Sequence, residues 1–335
     1  YFRYSSYYLV ELFFMKRILI LLTMKPNILV GGQAVIEGVM MRVPGAFSTA
    51  VRNPNGEIII KREKFRSIVE CSKFWSKPIF RGMASLYEAM KMGMATLQWS
   101  ADVSFPDEKR DGILDELIDY GTSLFSILLA IGLFMFLPMW ITTQLLQIEK
   151  EAIWFNLSSG IFRIIFFIIY LFMISLMSDI KRLFQYHGAE HKVVYNFESG
   201  KEINSINAQS FPTQHPRCGT SFMFIVLISA IVVFSLVDTI LIYFYGSISL
   251  LERLLFHLPF IPLVSGISYE IIKLTAKYNN FLFHILKAPG IWLQNITTKE
   301  PDDKMIEVSI SALKNAFGDE FENYRGKKYT AEAIG

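Results

Sequence analysis

The chain has 335 residues, 52% of them hydrophobic, 15% aromatic and 19% charged, with a mean hydropathy of +0.36. That balance is too apolar for an ordinary soluble domain, too long for a single membrane hairpin, and excludes disorder. A net charge of +3 gives no electrostatic footprint for nucleic acid, and two distant cysteines, Cys71 and Cys218, give no disulfide framework.

Residues 1–23 carry Lys16-Arg17 before an apolar run to Met24, which imitates a signal peptide but lacks a small-residue cleavage site and is too short to span a bilayer. They are expected to be a non-native or unstructured extension, with translation starting at or near Met24. Residues 31–38, GGQAVIEG, match neither a phosphate loop nor a dinucleotide fingerprint. Tight backbone packing is the expected role of the glycines, with Glu37 as a minor candidate for a ligand or acid. Ser48 to Arg52 and Glu57 to Lys61 are β-prone runs on either side of Asn53-Pro54-Asn55-Gly56, which predicts a hairpin. Ile79, Met83, Leu86, Met90 and Leu97 recur at helical spacing and predict a helix that packs on the hairpin or lies along the membrane surface, its methionines serving as core filler. A polar linker, Phe105 to Gly112, leads into the first apolar run.

A helix needs about 20 mostly apolar residues to span the hydrocarbon core. Thr122 to Ile148, Ala152 to Ser178, Gly219 to Tyr245 and Leu254 to Ile272 meet or approach that length. Arg163 in the second run is expected to snorkel. Asp238 in the third needs a partner, and Pro259 and Pro262 predict a kinked or re-entrant fourth. Lysines and arginines crowd the segment before the first run and recur between the second and third as Lys181, Arg182, Lys192, Lys201 and Arg217, while the other connections are nearly lysine-free. The expected topology therefore has four spans in the cytoplasmic membrane, with both termini and the central loop cytoplasmic. Near the end, Pro301 with Asp302 and Asp303 marks a helix start, and Val308, Ala312 and Leu313 form its apolar stripe.

The expected fold class is mainly α: a polytopic α-helical membrane protein with a small α+β N-terminal region. Its organisation reads as 1–23 extension, 24–118 N-terminal region, 119–179 first span pair, 180–218 His/Cys loop, 219–275 second span pair and 276–335 C-terminal helices.

Three of the five histidines fall between positions 187 and 215. His187-Gly188-Ala189-Glu190-His191 has the form H-x-x-E-H, the order found in inverzincin metallopeptidases. On a helix the two histidines project from one face toward a shared metal, and Glu190 stands close enough to act as general base. His215-Pro216-Arg217-Cys218 adds imidazole and thiolate, both good zinc donors. The expected centre is a divalent metal, zinc above all, on His187 and His191, with Cys218, His215 or Glu270 completing it and Glu190 catalytic. Asp238 and His257 fall toward the outer side, and His284 reads as a packed histidine. The function this predicts is a membrane metal-dependent enzyme of hydrolytic type; the alternative is a non-enzymatic scaffold with a closed structural metal site, and a transporter has less support. The expected partners are the lipid bilayer and an unidentified substrate or protein.

GGQAVIEGVMMR at 31–42, FQYHGAEHKVVYNFESG at 184–200, HPRCGTSF at 215–222, SGISYEIIKL at 265–274 and PGIWLQNITTKEP at 289–301 resemble the YqhQ-like family of bacterial membrane proteins. The similarity runs from Met24 to the C-terminal helix. The family is of unknown function and is described as a predicted metal-dependent enzyme, so the resemblance implies a class more than an activity. His187, Glu190, His191 and Cys218 stand in its motifs.

Overall fold

A computed structural model describes residues 30–106, 113–149, 151–277 and 281–329. The expected start at Met24 and most of the expected linker before the first span lie outside the described residues.

Strands β1 (Gly31–Val35), β2 (Gly38–Val43), β3 (Ala46–Arg52) and β4 (Ile58–Lys64) form an antiparallel meander in chain order. The Asn-Gly hairpin is β3–β4, with Arg52 opposite Ile58 and Asn53 Oδ1 accepting the Glu57 N–H at 2.8 Å. The glycine-rich segment is a second hairpin that periodicity does not reveal, because glycine carries no apolar signal. Ile36 and Glu37 make its two-residue turn, with Glu37 at φ 51. Close strand approach explains Gly32 and Gly38, where a Cβ would lie 2.2 Å from the Met40 and 2.1 Å from the Ala50 carbonyl oxygen, whereas a Cβ on Gly31 would meet open space.

Helix α1 (Phe80–Ser104) covers one sheet face, where Val35, Met40, Phe47 and Val51 meet Met92. The helix is as expected; its buried face is not. Ala84, Glu88, Met92, Thr96, Ser100 and Ser104 turn inward, while Met90 and Leu97 are exposed. Small and polar side chains win this face because the sheet edge offers them partners: Gln33 Nε2 donates to Thr96 Oγ1 at 2.8 Å, and the Ile36 N–H donates to Ser100 Oγ at 3.1 Å.

Among the described residues, four helices are long and apolar enough to cross a membrane: α2 (Tyr120–Leu146), α3 (Ala152–Ser175), then, after α4 (Ser178–Ser199), α5 (Gly219–Tyr245) and α6 (Leu250–Thr275). A π-helical turn at Gly132–Phe136 interrupts α2. The prolines of α6 fall at a 3-10 turn, Leu258–Phe260, and at the start of the next helical stretch, where a missing N–H is tolerated. Only Leu176 and Met177 separate α3 from α4. The last two long helices are α7 (Phe281–Thr297) and α8 (Asp303–Phe317), the latter capped by Asp302, whose side chain accepts the Met305 N–H. Together α4 and α8 cover the second sheet face: Val39, Met41 and Ala50 share one core with Val193 and Phe197 of α4 and Ile306 and Leu313 of α8. Segments that lie far apart in sequence thus build one α+β unit.

Within the apolar helices, Asp238 is fully buried and spends both oxygens: Oδ1 accepts from His257 Nε2 at 2.9 Å, and Oδ2 accepts from Arg253 Nη1 at 2.6 Å and Asn156 Nδ2 at 2.7 Å. Arg163 does not snorkel. It is buried, with its guanidinium 5.3 Å from the centre of the Phe234 ring. Removing one partner of a buried ion pair leaves the others uncompensated, so Asp238→Ala should destabilise the protein by about 3–5 kcal/mol and Asp238→Asn by less. Unfolding of the detergent-solubilised protein measures this; wild-type stability in Asp238→Ala would show that the cluster does not hold α3, α5 and α6 together.

Candidate metal centre

Every residue of the HGAEH segment has a separate task along α4. His187 and His191 lie one turn apart, with ring centroids 4.5 Å apart. Gly188 allows close approach: a Cβ there would lie 2.1 Å from the Lys299 carbonyl oxygen. Ala189 is buried in the core against the sheet and α8. Glu190 turns toward β1, its Cγ 3.1 Å from where a Gly32 Cβ would stand.

The two histidines are oriented by backbone oxygens. His187 Nδ1 donates to the Thr297 carbonyl at 2.8 Å, and His191 Nδ1 donates to the Thr213 carbonyl. In the neutral rings Nε2 is then the free lone pair, the arrangement that second-shell partners impose on metal-ligating histidines. Cys218 comes from another direction, as the N-cap of α5, with Sγ 3.1 Å from His187 Nε2. The ligand atoms of His187, His191 and Cys218 all lie within 4.8 Å of one another. Zinc at about 2.0 Å from nitrogen and 2.3 Å from sulfur places a tetrahedral N–S pair about 3.5 Å apart, so the donor set fits such an ion with small adjustment.

Electrostatics favour the ligating state. Burial lowers the pKa of His191 and keeps it neutral. Burial raises that of Glu190, opposed by His187, His215 and Arg217 and by the Gly32 N–H that the carboxylate accepts. Glu190 Oε2 is 3.4 Å from His191 Nε2, so a carboxyl that does not belong to the donor group stands beside it.

Two expected ligands are placed differently. His215 is close, its ring centroid 5.5 Å from that of His191, but its Nδ1 accepts the Arg217 N–H at 3.3 Å, so its proton sits on Nε2, 3.7 Å from Glu198. Burial lowers its pKa to about 4. It therefore backs the cluster, beside the buried Arg217–Glu198 ion pair. Glu270 is held elsewhere: Arg81 pairs with both its oxygens, and the Ile79 N–H donates to Oε1 at 3.2 Å. Glu37 is likewise taken, by Arg182 at the start of α4. Thr213, Thr297 and Gln294 escape sequence reasoning. Gln294 grips the His215 backbone, accepting its N–H at 2.6 Å and donating to its carbonyl at 2.8 Å. Carbonyl acceptors leave no mark in sequence, although Gln294 and Thr297 lie in the similar PGIWLQNITTKEP stretch.

Fold and site define the class: a membrane protein whose apolar helices carry an α+β domain, with a His–His–Cys group, half-buried at His187 and buried at His191 and Cys218, at the foot of its third apolar helix. The chain belongs to the DUF1385 family, proteins of unknown function, which matches residues 77–319. It is 33% identical over 295 residues to the uncharacterized protein YqhQ of Bacillus subtilis (strain 168), covering 84% of this chain and 90% of that relative. No solved structure matches.

Gly188→Ala should force α4 away from Lys299 and displace the Thr297 acceptor. A cost of about 1–3 kcal/mol is expected from overpacking, and thermal unfolding measures it. Unchanged stability would mean that the approach of Lys299 is not a constraint.

Proposed function

We propose that the protein is a metal-dependent enzyme of the cytoplasmic membrane, of hydrolytic type, with its centre on the cytoplasmic side. One observation carries this reading: two histidines whose Nδ1 atoms are committed to carbonyls present Nε2 beside a cysteine thiol, with a buried carboxyl that is not part of the donor group next to them. Imidazole and thiolate select zinc over the oxygen-preferring magnesium and calcium. Three protein donors would leave a zinc ion room for a further, non-protein ligand. The ion, when bound, supplies Lewis-acid polarisation of water and of the scissile group. His187, His191 and Cys218 would hold it, Glu190 would take up the proton that water loses on attack, and the His215–Glu198–Arg217 group fixes the loop that carries Cys218.

His187→Ala combined with His191→Ala should abolish copurification of zinc, read by elemental analysis of the detergent-solubilised protein, whereas Glu190→Gln should keep the metal and lose cellular function. Full metal content in the double variant would end the metal reading. A second reading rests on where the donors come from: α4 and the N-cap of α5, backed by the end of α7, are segments that a closed ion would fasten together in a non-enzymatic scaffold. Full function in metal-loaded Glu190→Gln decides for that reading.

The lysine and arginine distribution supports the orientation. A cysteine introduced at Asn204 should stay unmodified by an impermeant thiol reagent in intact cells and react after permeabilisation. Labelling in intact cells would reverse the topology.

A further inference from the structure

The outward face of α1 carries an apolar stripe among the exposed polar residues Lys91, Gln98 and Asp102. Phe80, Tyr87, Met90, Met94 and Leu97 are all exposed, Met94 by 69%; Tyr87 lies two turns after Phe80, and from there they follow one another at three- and four-residue steps. A soluble surface does not present such a stripe without a partner. Three observations identify the partner. First, α1 begins against the flank of α6: a Cβ on Gly82 would lie 2.6 Å from Tyr269 Cβ, and one on Gly266 would lie 2.6 Å from the Ile79 carbonyl oxygen. Gly266 is nine residues before the end of α6 at Thr275, and Glu270, paired with Arg81 of α1, and Lys273 lie between, so the first turn of α1 sits where the apolar stretch of α6 meets its charged end. The stripe therefore continues the apolar belt of α6, where Ile261 and Leu274 are exposed. Second, Phe74, Trp75 and Phe80 cluster just before and at this turn, with Lys77 Nζ 6.0 Å from the Phe74 ring centre, a combination suited to the boundary of headgroups and acyl chains. Third, residues 64–91 hold six lysines and arginines against two glutamates, a surplus that complements anionic headgroups.

We propose that α1 is an in-plane membrane helix, its outward stripe immersed at the headgroup–acyl boundary of an anionic bilayer while its inward face holds the sheet. The α+β domain is thereby held against the bilayer by α1 as well as by the apolar helices.

The test places a nitroxide on a cysteine at Met94, and separately at Leu97 and at Lys61 on exposed β4, in the full chain with Cys71→Ser, reconstituted in phosphatidylethanolamine–phosphatidylglycerol vesicles. Relaxation by oxygen should exceed relaxation by a water-soluble nickel chelate at 94 and 97, and the order should reverse at 61. Labels at 94 and 97 that behave like the one at 61 would overturn the proposal. So would strong spin–spin broadening at 94 and 97 that vanishes on dilution with unlabelled protein, which would make a second copy of the chain the occupant of the stripe. The two independent label sites guard against a local disturbance at either one.

Discussion

The centre depends on two backbone carbonyls. By accepting the Nδ1 protons of His191 and His187, Thr213 and Thr297 decide which nitrogen of each ring faces the cysteine. Neither oxygen belongs to α4. One comes from the loop before α5 and the other from the last residue of α7, so the ring orientations hold only while three chain segments stay in register. The register is kept by close contacts that tolerate little change: Gly188 against Lys299, Gly290 against Ser221, and the Lys299 N–H donating to the Phe184 carbonyl at 2.9 Å.

Around the centre, side chains that read as surface groups are consumed internally. Lys192 is buried and donates to the carbonyls of Gln209 and Phe211 at 3.0 and 2.8 Å while pairing with Glu300. Asn196 Nδ2 and Asn207 Nδ2 both donate to the Glu202 carbonyl. A loop with little apolar content is thus ordered by hydrogen bonds that side chains of α4 and of the loop itself make to its backbone, while Asn196 Oδ1 and His215 Nε2 stay buried without a hydrogen-bond partner.

What could be read from sequence follows from which forces act locally. The apolar runs, the Asn-Gly hairpin and the Asp302 cap are local signals, and each corresponds to an element. The H-x-x-E-H spacing likewise implies a shared helical face, and the two histidines share one. Tertiary partners decide the rest. Met90 and Leu97 of the expected α1 stripe turned outward because the sheet supplied hydrogen-bonding partners for the helix's small polar residues. Glu270 was drawn off by Arg81, a residue 189 positions away, and the tautomer of His215 was set by the amide two residues on. Periodicity contains no information about such choices.

The Asp238 cluster bears on how the chain enters the bilayer. Asp238 lies near the end of α5, and its partners Arg253 and His257 near the start of α6, with a short turn between. A lone carboxylate or guanidinium at membrane depth carries a cost that a hydrogen-bonded pair largely cancels. The two helices are therefore cheapest to insert together, folded as a hairpin whose charges are already matched. The translocation machinery would meet this stretch as one unit, and Asn156 of α3 would close the cluster only after that hairpin had arrived.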